Sequence, residues 1–337
     1  MIRLQDIHLR PKLTALLFLT GLIPLMTLWW MERHQADRTL TQQATSRVET
    51  ARNVGISSIK RYFSERRADM ETLTQLAAER HLQAVQHLET LRDLKKARIE
   101  AYLEQRVTEV DQLAANADFM KRVAAIDWIF RQGGRKIDNK HWRETVEGFS
   151  PLYDGQKNAS GQEELYFVSA QGDVVYSMAH RSELGQNVLQ KPLSDTGLAK
   201  AYRAGLEGVA LLDFQPYAPA NNASNAFFAA PVKKEGTTIG VVITRVSRQV
   251  LTQLMQAGMP PDALEEHYLA AADGLRSDPV LTTGVTPKPP LLTIALEGKT
   301  GHGSAIGLHG QPVVAAWAPV TVRGLRWVVI AERELTR

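Results

Sequence analysis

From Glu32 to about Arg131, apolar residues fall at helical spacing among polar ones; beyond residue 162 they gather into short runs separated by glycine turns. The first region predicts helix, because it contains no proline and a single glycine, Gly55, while Ala, Leu, Gln, Glu and Arg predominate. Ile59, Tyr62, Phe63, Met70, Leu73, Leu76 and Ala77 form a stripe of near-heptad spacing, which Ile99, Tyr102, Leu103, Val110 and Leu113 repeat. A shift of 40 residues superposes Ile59 on Ile99, Tyr62 on Tyr102, Arg66 on Arg106, Leu73 on Leu113 and Ala77 on Ala117. That shift is about eleven helical turns, so both stripes would share a face of one unbroken helix. Periodicity leaves one long helix and a hairpin of two open. Either form presents an apolar stripe that needs a partner, and parallel coiled-coil dimerisation is the expected solution.

Between 132 and 161 the pattern decays into Gly133-Gly134, Ser150-Pro151 and Asp154-Gly155, which predicts a linker with one short helix around Trp142 to Phe149. Strand grammar follows. Leu165 to Ser177 reads as two strands folded about Gln171-Gly172-Asp173, and Ala226 to Val232 with Thr238 to Val246 as a second pair. Helices fit Leu198 to Leu206 and Gln249 to Gln256.

After Gly258-Met259-Pro260-Pro261 the same landmarks return. Tyr166, Ala170 and Gly172 match Tyr268, Ala272 and Gly274 at a shift of 102. Ala230-Pro231-Val232 followed by Val241 to Ile243 matches Ala318-Pro319-Val320 followed by Val328 to Ile330. The fold class is therefore α+β, with two tandem modules over 162–257 and 262–337. Each is expected to be an antiparallel sheet of about five strands. Ile239 to Ile243 and Trp327 to Ile330 are apolar without alternation, so both faces of each sheet should be covered, one by helices and the other by a cavity or loop layer.

Leu13 to Met31 contains no charge and, at about 1.5 Å per residue, is just long enough to cross a bilayer core of about 30 Å. Arg3, Arg10 and Lys12 precede it, and Trp29 with Trp30 stand where an aromatic belt would hold its far end. An uncleaved transmembrane anchor is expected in preference to a signal peptide, because no Ala-x-Ala-like cleavage site follows. Residues 1–12 then form a cytoplasmic tail, 13–31 the span, and 32–131 a stalk on the other side. Arg33, Arg38 and Arg47 weaken the charge asymmetry that would fix this orientation.

Net charge is +4, with Lys and Arg nearly matched by Asp and Glu and spread along the chain, so nucleic acid is not an expected partner. Absence of cysteine removes disulfides, thiolate metal sites and cysteine nucleophiles. His81 with His87, and His302 with His309, lack metal-ligand spacing, and no metal, cofactor or catalytic constellation is expected. Gly301-His302-Gly303-Ser304 reads as a hairpin turn. Asn158 and Asn222 match the glycosylation pattern, a weak signal. In Leu211 to Phe228, Asp213, Tyr217 and Phe228 surround a proline-rich bend, which could offer an aromatic wall and a carboxylate to a small polar ligand or form a packed loop.

These residues carry a resemblance. Ile59 to Glu71 and Leu94 to Arg106 resemble the helix that follows the first membrane span in the double Cache sensor regions of methyl-accepting chemotaxis proteins and related membrane kinases and cyclases. Tyr166 to Tyr176, Asp213 to Pro219, Phe228 to Val232 and Ala272 to Asp278 resemble the PAS-like Cache sheets of that family. The resemblance implies a periplasmic, inner-membrane receptor input region, not an enzyme, which dimerises through its helices. It implies a small molecule bound in the membrane-distal module, 162–257, with 262–337 membrane-proximal; Tyr176, Tyr202, Asp213, Tyr217 and Phe228 are the expected lining. In the amino-acid-binding branch, an Arg-x-Trp-Tyr motif and an aspartate two residues after a Pro-Tyr pair hold the ligand. Here the motif is missing and Pro219 stands where the aspartate would follow Pro216-Tyr217, so an amino-acid ligand is unsupported. The sequence ends at Arg337 without an output domain, and a truncated receptor is expected over one working through a partner. The competing reading is a membrane-tethered coiled-coil scaffold with no small ligand.

Overall fold

A computed structural model of the chain describes residues 9–138, 140–148, 162–259, 265–280, 285–286 and 288–335, without the side chains of 9–12, 15, 34–43, 162 and 163. Asn158 and much of the expected linker lie outside the described residues. By its contacts the chain divides into Met1–Arg80 and His81–Arg337.

Helix α1 runs over Leu9–Ala115, so the expected choice between one long helix and a hairpin resolves to one helix through most of the stalk. It stops short of Arg131. Asn116 takes an extended backbone (φ −71°, ψ 120°), and its side chain accepts a hydrogen bond from Phe119 N at 2.9 Å. It thus caps α2, Ala117–Gln132, a role in which asparagine outcompetes helix continuation. Helix α3 follows at Lys140–Glu147.

The apolar run that starts at Leu13 lies in α1, with Leu16, Phe18, Leu25 and Trp30 exposed. Among the described residues no helix is long and apolar enough to cross a membrane. In this first unit the stripe residues Ile59, Tyr62, Phe63, Met70 and Leu73 are all more than half exposed.

In the second unit the repeat of that stripe is buried. Val85, Leu88, Arg92, Lys95, Ile99, Leu103, Val107, Val110 and Ala114 recur every three or four residues along α1 and form its inward seam.

Two five-stranded antiparallel sheets follow. The first holds β1 (Gln162–Ser169), β2 (Val174–Ser177), β3 (Ala210–Tyr217), β4 (Ala223–Lys234) and β5 (Thr237–Ser247). The second holds β6 (Glu265–Ala271), β7 (Gly274–Leu275), β8 (Gly301–Ile306), β9 (Pro312–Val320) and β10 (Trp327–Glu334). Their strand orders, β2-β1-β5-β4-β3 and β7-β6-β10-β9-β8, are the same topology, as the 102-residue correspondence requires. Tyr166 and Tyr268 occupy equivalent places, each paired with the isoleucine of its last strand, Ile243 or Ile330.

One face of the first sheet, with Phe167, Val175, Phe228 and Val242, packs on the α1 seam and on Phe119, Val123, Ile126 and Phe130 of α2. The other face carries Tyr166, Val168, Phe227 and Ile243 beneath helix α4 (Gly197–Glu207) and the preceding loop. Both faces are covered, which is why these strands read as unbroken apolar runs. The second sheet places Val314, Ala316 and Ala331 against Val85 and Leu88, and its other face beneath α6 (Pro290–Ala295).

Gly301 to Ser304 corrects the sequence reading, because these residues are not a turn but most of β8. Gly301 pairs with Trp317, and a Cβ there would lie 2.9 Å from the indole, so the glycine makes room for the ring.

Helix α5 (Arg248–Gln256) joins the modules. Across their junction Arg276, 5% exposed, grips Asp213 with Nε–Oδ1 and Nη2–Oδ2 both at 2.8 Å, and Phe214 meets Trp327 at 5.8 Å between ring centroids. Arg276→Met is expected to cost about 2 kcal/mol, and Asp213→Ala less, since Arg276 keeps Asp273 at 2.6 Å. Thermal unfolding of both single variants and the double variant measures the coupling; strictly additive losses would mean that the bridge carries none.

Candidate functional site

On the loop-facing side of the first sheet, charged residues interrupt the apolar surface at one end. Glu164 of β1 lies opposite Arg245 of β5, which lies opposite Phe227 of β4. Tyr166, two residues on, pairs with Ser177 of β2. Asn225 occupies the same face of β4, two residues before Phe227. All of these are buried, Arg245 at 3% exposure and Glu164 at none.

The segment after β2 supplies the remaining groups. Ser177 Oγ accepts from Arg181 N at 3.0 Å, which turns the chain back over the sheet and delivers Glu183, 1% exposed, above two tyrosines. Tyr166 and Tyr217 both donate to Glu183 Oε1 at 2.7 Å, short bonds of the kind a carboxylate acceptor makes. The Arg245 guanidinium stands 5.7 Å from the centre of the Tyr217 ring, and Phe227 meets that ring edge-on at 5.2 Å. Glu164 Oε1 accepts from Leu165 N at 3.1 Å and Ala179 N at 3.0 Å, while its Oε2 lies 3.7 Å from Arg181 Nε. Asn225 donates to Ala223 O at 2.8 Å, and its Oδ1 has no hydrogen-bond partner among the described residues.

Burial pushes the Glu164 carboxyl above its ordinary range, against the pull of the Ala179 and Leu165 amides and the Arg245 charge. Burial likewise raises Tyr166 and Tyr217, with the neighbouring Glu183 carboxylate adding to both, so the two phenols remain protonated donors. Two buried carboxylates, Glu164 and Glu183, thus stand with one buried guanidinium, Arg245, while the exposed Arg181 reaches Glu164 from the surface. Such a cluster can exchange its internal partners for those of a polar ligand, but it contains no paired nucleophile and base suited to bond cleavage. Among the described residues no group of His, Asp and Glu can hold a metal ion.

The five expected site residues do not converge. Tyr202 and Tyr217 lie on the loop-facing side; Tyr202 donates to Ala170 O at 3.0 Å, and Tyr217 belongs to the polar cluster. Tyr176 and Phe228 belong to the opposite, helix-facing core, because neighbours along a strand alternate faces. Asp213 binds Arg276 at the module junction. Sequence reading passed over Glu164, Glu183, Asn225 and Arg245. The signal was present in Val241-Val-Ile-Thr-Arg-Val, where one arginine interrupts a run of strand-forming residues that should otherwise be buried.

A long helix seated on two successive sheets of order 2-1-5-4-3 is the double Cache sensor fold, and the chain carries it. The sensor domain of the histidine kinase DctB from Vibrio cholerae matches 77% of this chain and all of its own length, at a TM-score of 0.52 and 11% identity. The ligand-binding domain of the amino-acid chemoreceptor PctC from Pseudomonas aeruginosa, in complex with GABA, matches 74% of this chain and all of its own, at 0.50 and 15%. That of the chemoreceptor CtaA from Pseudomonas fluorescens, in complex with L-isoleucine, matches 78% of this chain and 96% of its own, at 0.50 and 16%. No family model matches the sequence, and no curated protein does.

Proposed function

We propose that the chain is the extracytoplasmic sensing region of a membrane receptor, binding a small polar molecule over the loop-facing side of its first sheet. The observation that carries this reading is the concentration of Glu164, Glu183, Asn225 and Arg245, all buried, on one face of a single module. The buried Asn225 Oδ1 has no hydrogen-bond partner among the described residues, a cost of about 1–3 kcal/mol that a donor on a ligand would offset. Similarity of fold to sensor domains that bind amino acids and GABA supports the same use of the module here. An amino-acid ligand is unsupported, since the motif and aspartate that hold one in that branch are missing.

Leu13 to Met31 is the membrane anchor in this reading; its support is an uncharged run whose large side chains are exposed. Homodimerisation through α1 covers the stripe at Ile59 to Leu73, which no described residue of its own unit covers. Output passes to a partner or to a further domain.

Thermal-shift screening of the full chain in detergent, against organic acids, amines and purines, tests the ligand claim. One class should raise the melting temperature, since a ligand at a hundred times its Kd adds about 2.7 kcal/mol to the folded state. Tyr217→Phe, which keeps the ring and loses the hydroxyl, should weaken that response. If nothing shifts the melting temperature, while Ile59→Glu with Leu73→Glu converts a dimer to a monomer by sedimentation, the scaffold reading replaces the sensor.

A further inference from the structure

A cavity lies in the other module. It encloses about 450 Å³ between α1 and the helix-facing side of the second sheet, with Ala257, Gly258 and Met259 closing one side. Its polar wall comprises Lys95 and Arg98 from α1, Arg333 from β10, and His87, His267 and Glu265. The register explains this gathering: Arg333 pairs with Glu265 and Ala331 with His267, so all four side chains share the face that meets α1.

Three basic side chains, Lys95, Arg98 and Arg333, face one carboxylate before either histidine protonates, although burial and the nearby Arg98 lower the Lys95 amine from its ordinary value. Lys95, 2% exposed, donates to Ala257 O at 2.7 Å and is fixed at the wall. His87 Nε2 and His267 Nε2 stand 3.4 and 3.7 Å from the two oxygens of Glu265. His267 is 2% exposed, lines the cavity, and its Nδ1 has no hydrogen-bond partner among the described residues.

Two histidines and a glutamate could suggest a metal. The surrounding cations oppose that, because Lys95, Arg98 and Arg333 would repel a divalent ion in the same small volume. Charge excess, fixed donors and an unsatisfied buried imidazole all favour an anion instead. Leu91, Leu94 and Met259 add an apolar wall, which suits an organic body more than a bare inorganic ion.

We infer that this cavity is a second ligand site, which takes a small organic oxyanion between the stalk helix and the sheet of the C-terminal module. The anion bridges Arg98 on α1 and Arg333 on β10, with His267 donating from the floor. Its occupancy ties the helix to the second module independently of whatever binds the first. A sensor so built reads two molecules through one helix, and the second sets how firmly α1 is held against the sheet.

Calorimetric titration of the full chain in detergent, at constant ionic strength, with malonate, benzoate, inorganic phosphate and choline chloride, tests this. Saturable binding of malonate or benzoate assigns a carboxylate, and saturable binding of phosphate alone assigns a phosphate ester; choline should not bind. Arg98→Gln with Arg333→Gln should weaken the anion at least about tenfold while the unliganded melting temperature stays within about 2 °C, because both side chains line an open wall. Tyr217→Phe, in the other module, should leave this affinity unchanged, which separates failure here from failure of the first site. The inference is overturned if none of the three anions saturates below about 10 mM, or if the double variant binds as tightly as the parent.

Discussion

Glu183→Ala will lower the stability of the second unit by about 3 kcal/mol, or roughly 6–12 °C in melting temperature for a unit of this size. The reason is an asymmetry. The substitution removes one buried carboxylate but strands two buried phenols, Tyr166 and Tyr217, whose hydroxyls have Glu183 Oε1 as acceptor at 2.7 Å. Each lost charge-assisted bond is worth about 1.5–3 kcal/mol, partly offset by the desolvation that the carboxylate no longer bears. The triple variant Glu183→Leu, Tyr166→Phe, Tyr217→Phe should be more stable than Glu183→Ala, because it removes donors and acceptor together. Differential scanning fluorimetry of parent, single and triple variants decides the matter. A single variant within about 1 °C of the parent would mean that the acid does not hold the loop to the sheet.

Gly240→Ala is expected to be more damaging, at about 3 kcal/mol or above. Gly240 sits in β5, the strand bonded to both β1 and β4, opposite Ser169 on one side and Val232 on the other. A Cβ there would lie 2.4 Å from Val168 O and 2.5 Å from Phe167 Cζ. The first contact is with backbone held by the ladder, so it cannot be relieved by a rotamer change, and the sheet itself must move. Gly208→Ala provides the contrast, since that position has extended backbone (φ 165°) and nothing within 4 Å. It should be close to neutral. Equal melting temperatures for the two variants would show that β1 and β5 are less closely packed than described.

Both predictions fall on the first module, the polar cluster at the Glu164–Arg245 end of the β1/β5 ladder and Gly240 at its Ser169 end. On the proposed reading, a ligand that rearranged Glu164, Glu183 and Arg245 would act on strands whose other face packs on the α1 seam, from Ile99 to Ala114. The seam continues past the second sheet through Arg92, whose guanidinium reaches Gly301 O at 3.3 Å, and Lys95. Of these charged residues in an otherwise apolar seam, Lys95 lines the cavity of the second module.

Local rules decided much of this in the sequence. Helical spacing gave the stalk, because burial along one face imposes a period on apolar residues whatever covers them. The 102-residue correspondence of Tyr166 with Tyr268 gave two modules of one topology, because equivalent places in a repeated sheet need equivalent residues. Gly172 and Gly236 gave the turns, each at a φ that side chains avoid. What covers the stripe was not legible. Ile59 to Leu73 and Ile99 to Leu113 read alike, yet only the second meets sheets within its own unit.

The sites belong to the tertiary structure alone. Tyr176 and Phe228 read as plausible neighbours of Tyr217, but strand alternation sends them to the opposite face, and which face holds the loop layer is fixed by α4 and the segment after β2. Asp213 reads as a ligand carboxylate until Arg276, 63 residues on, is brought against it. Glu183 meets Tyr217 from 34 residues away, and Lys95 meets Ala257 from 162. A sequence records which residues are apolar and where the chain can turn, since those are properties of neighbours along it. It does not record which charges meet, because that depends on how sheets and helices already formed by those rules come to pack.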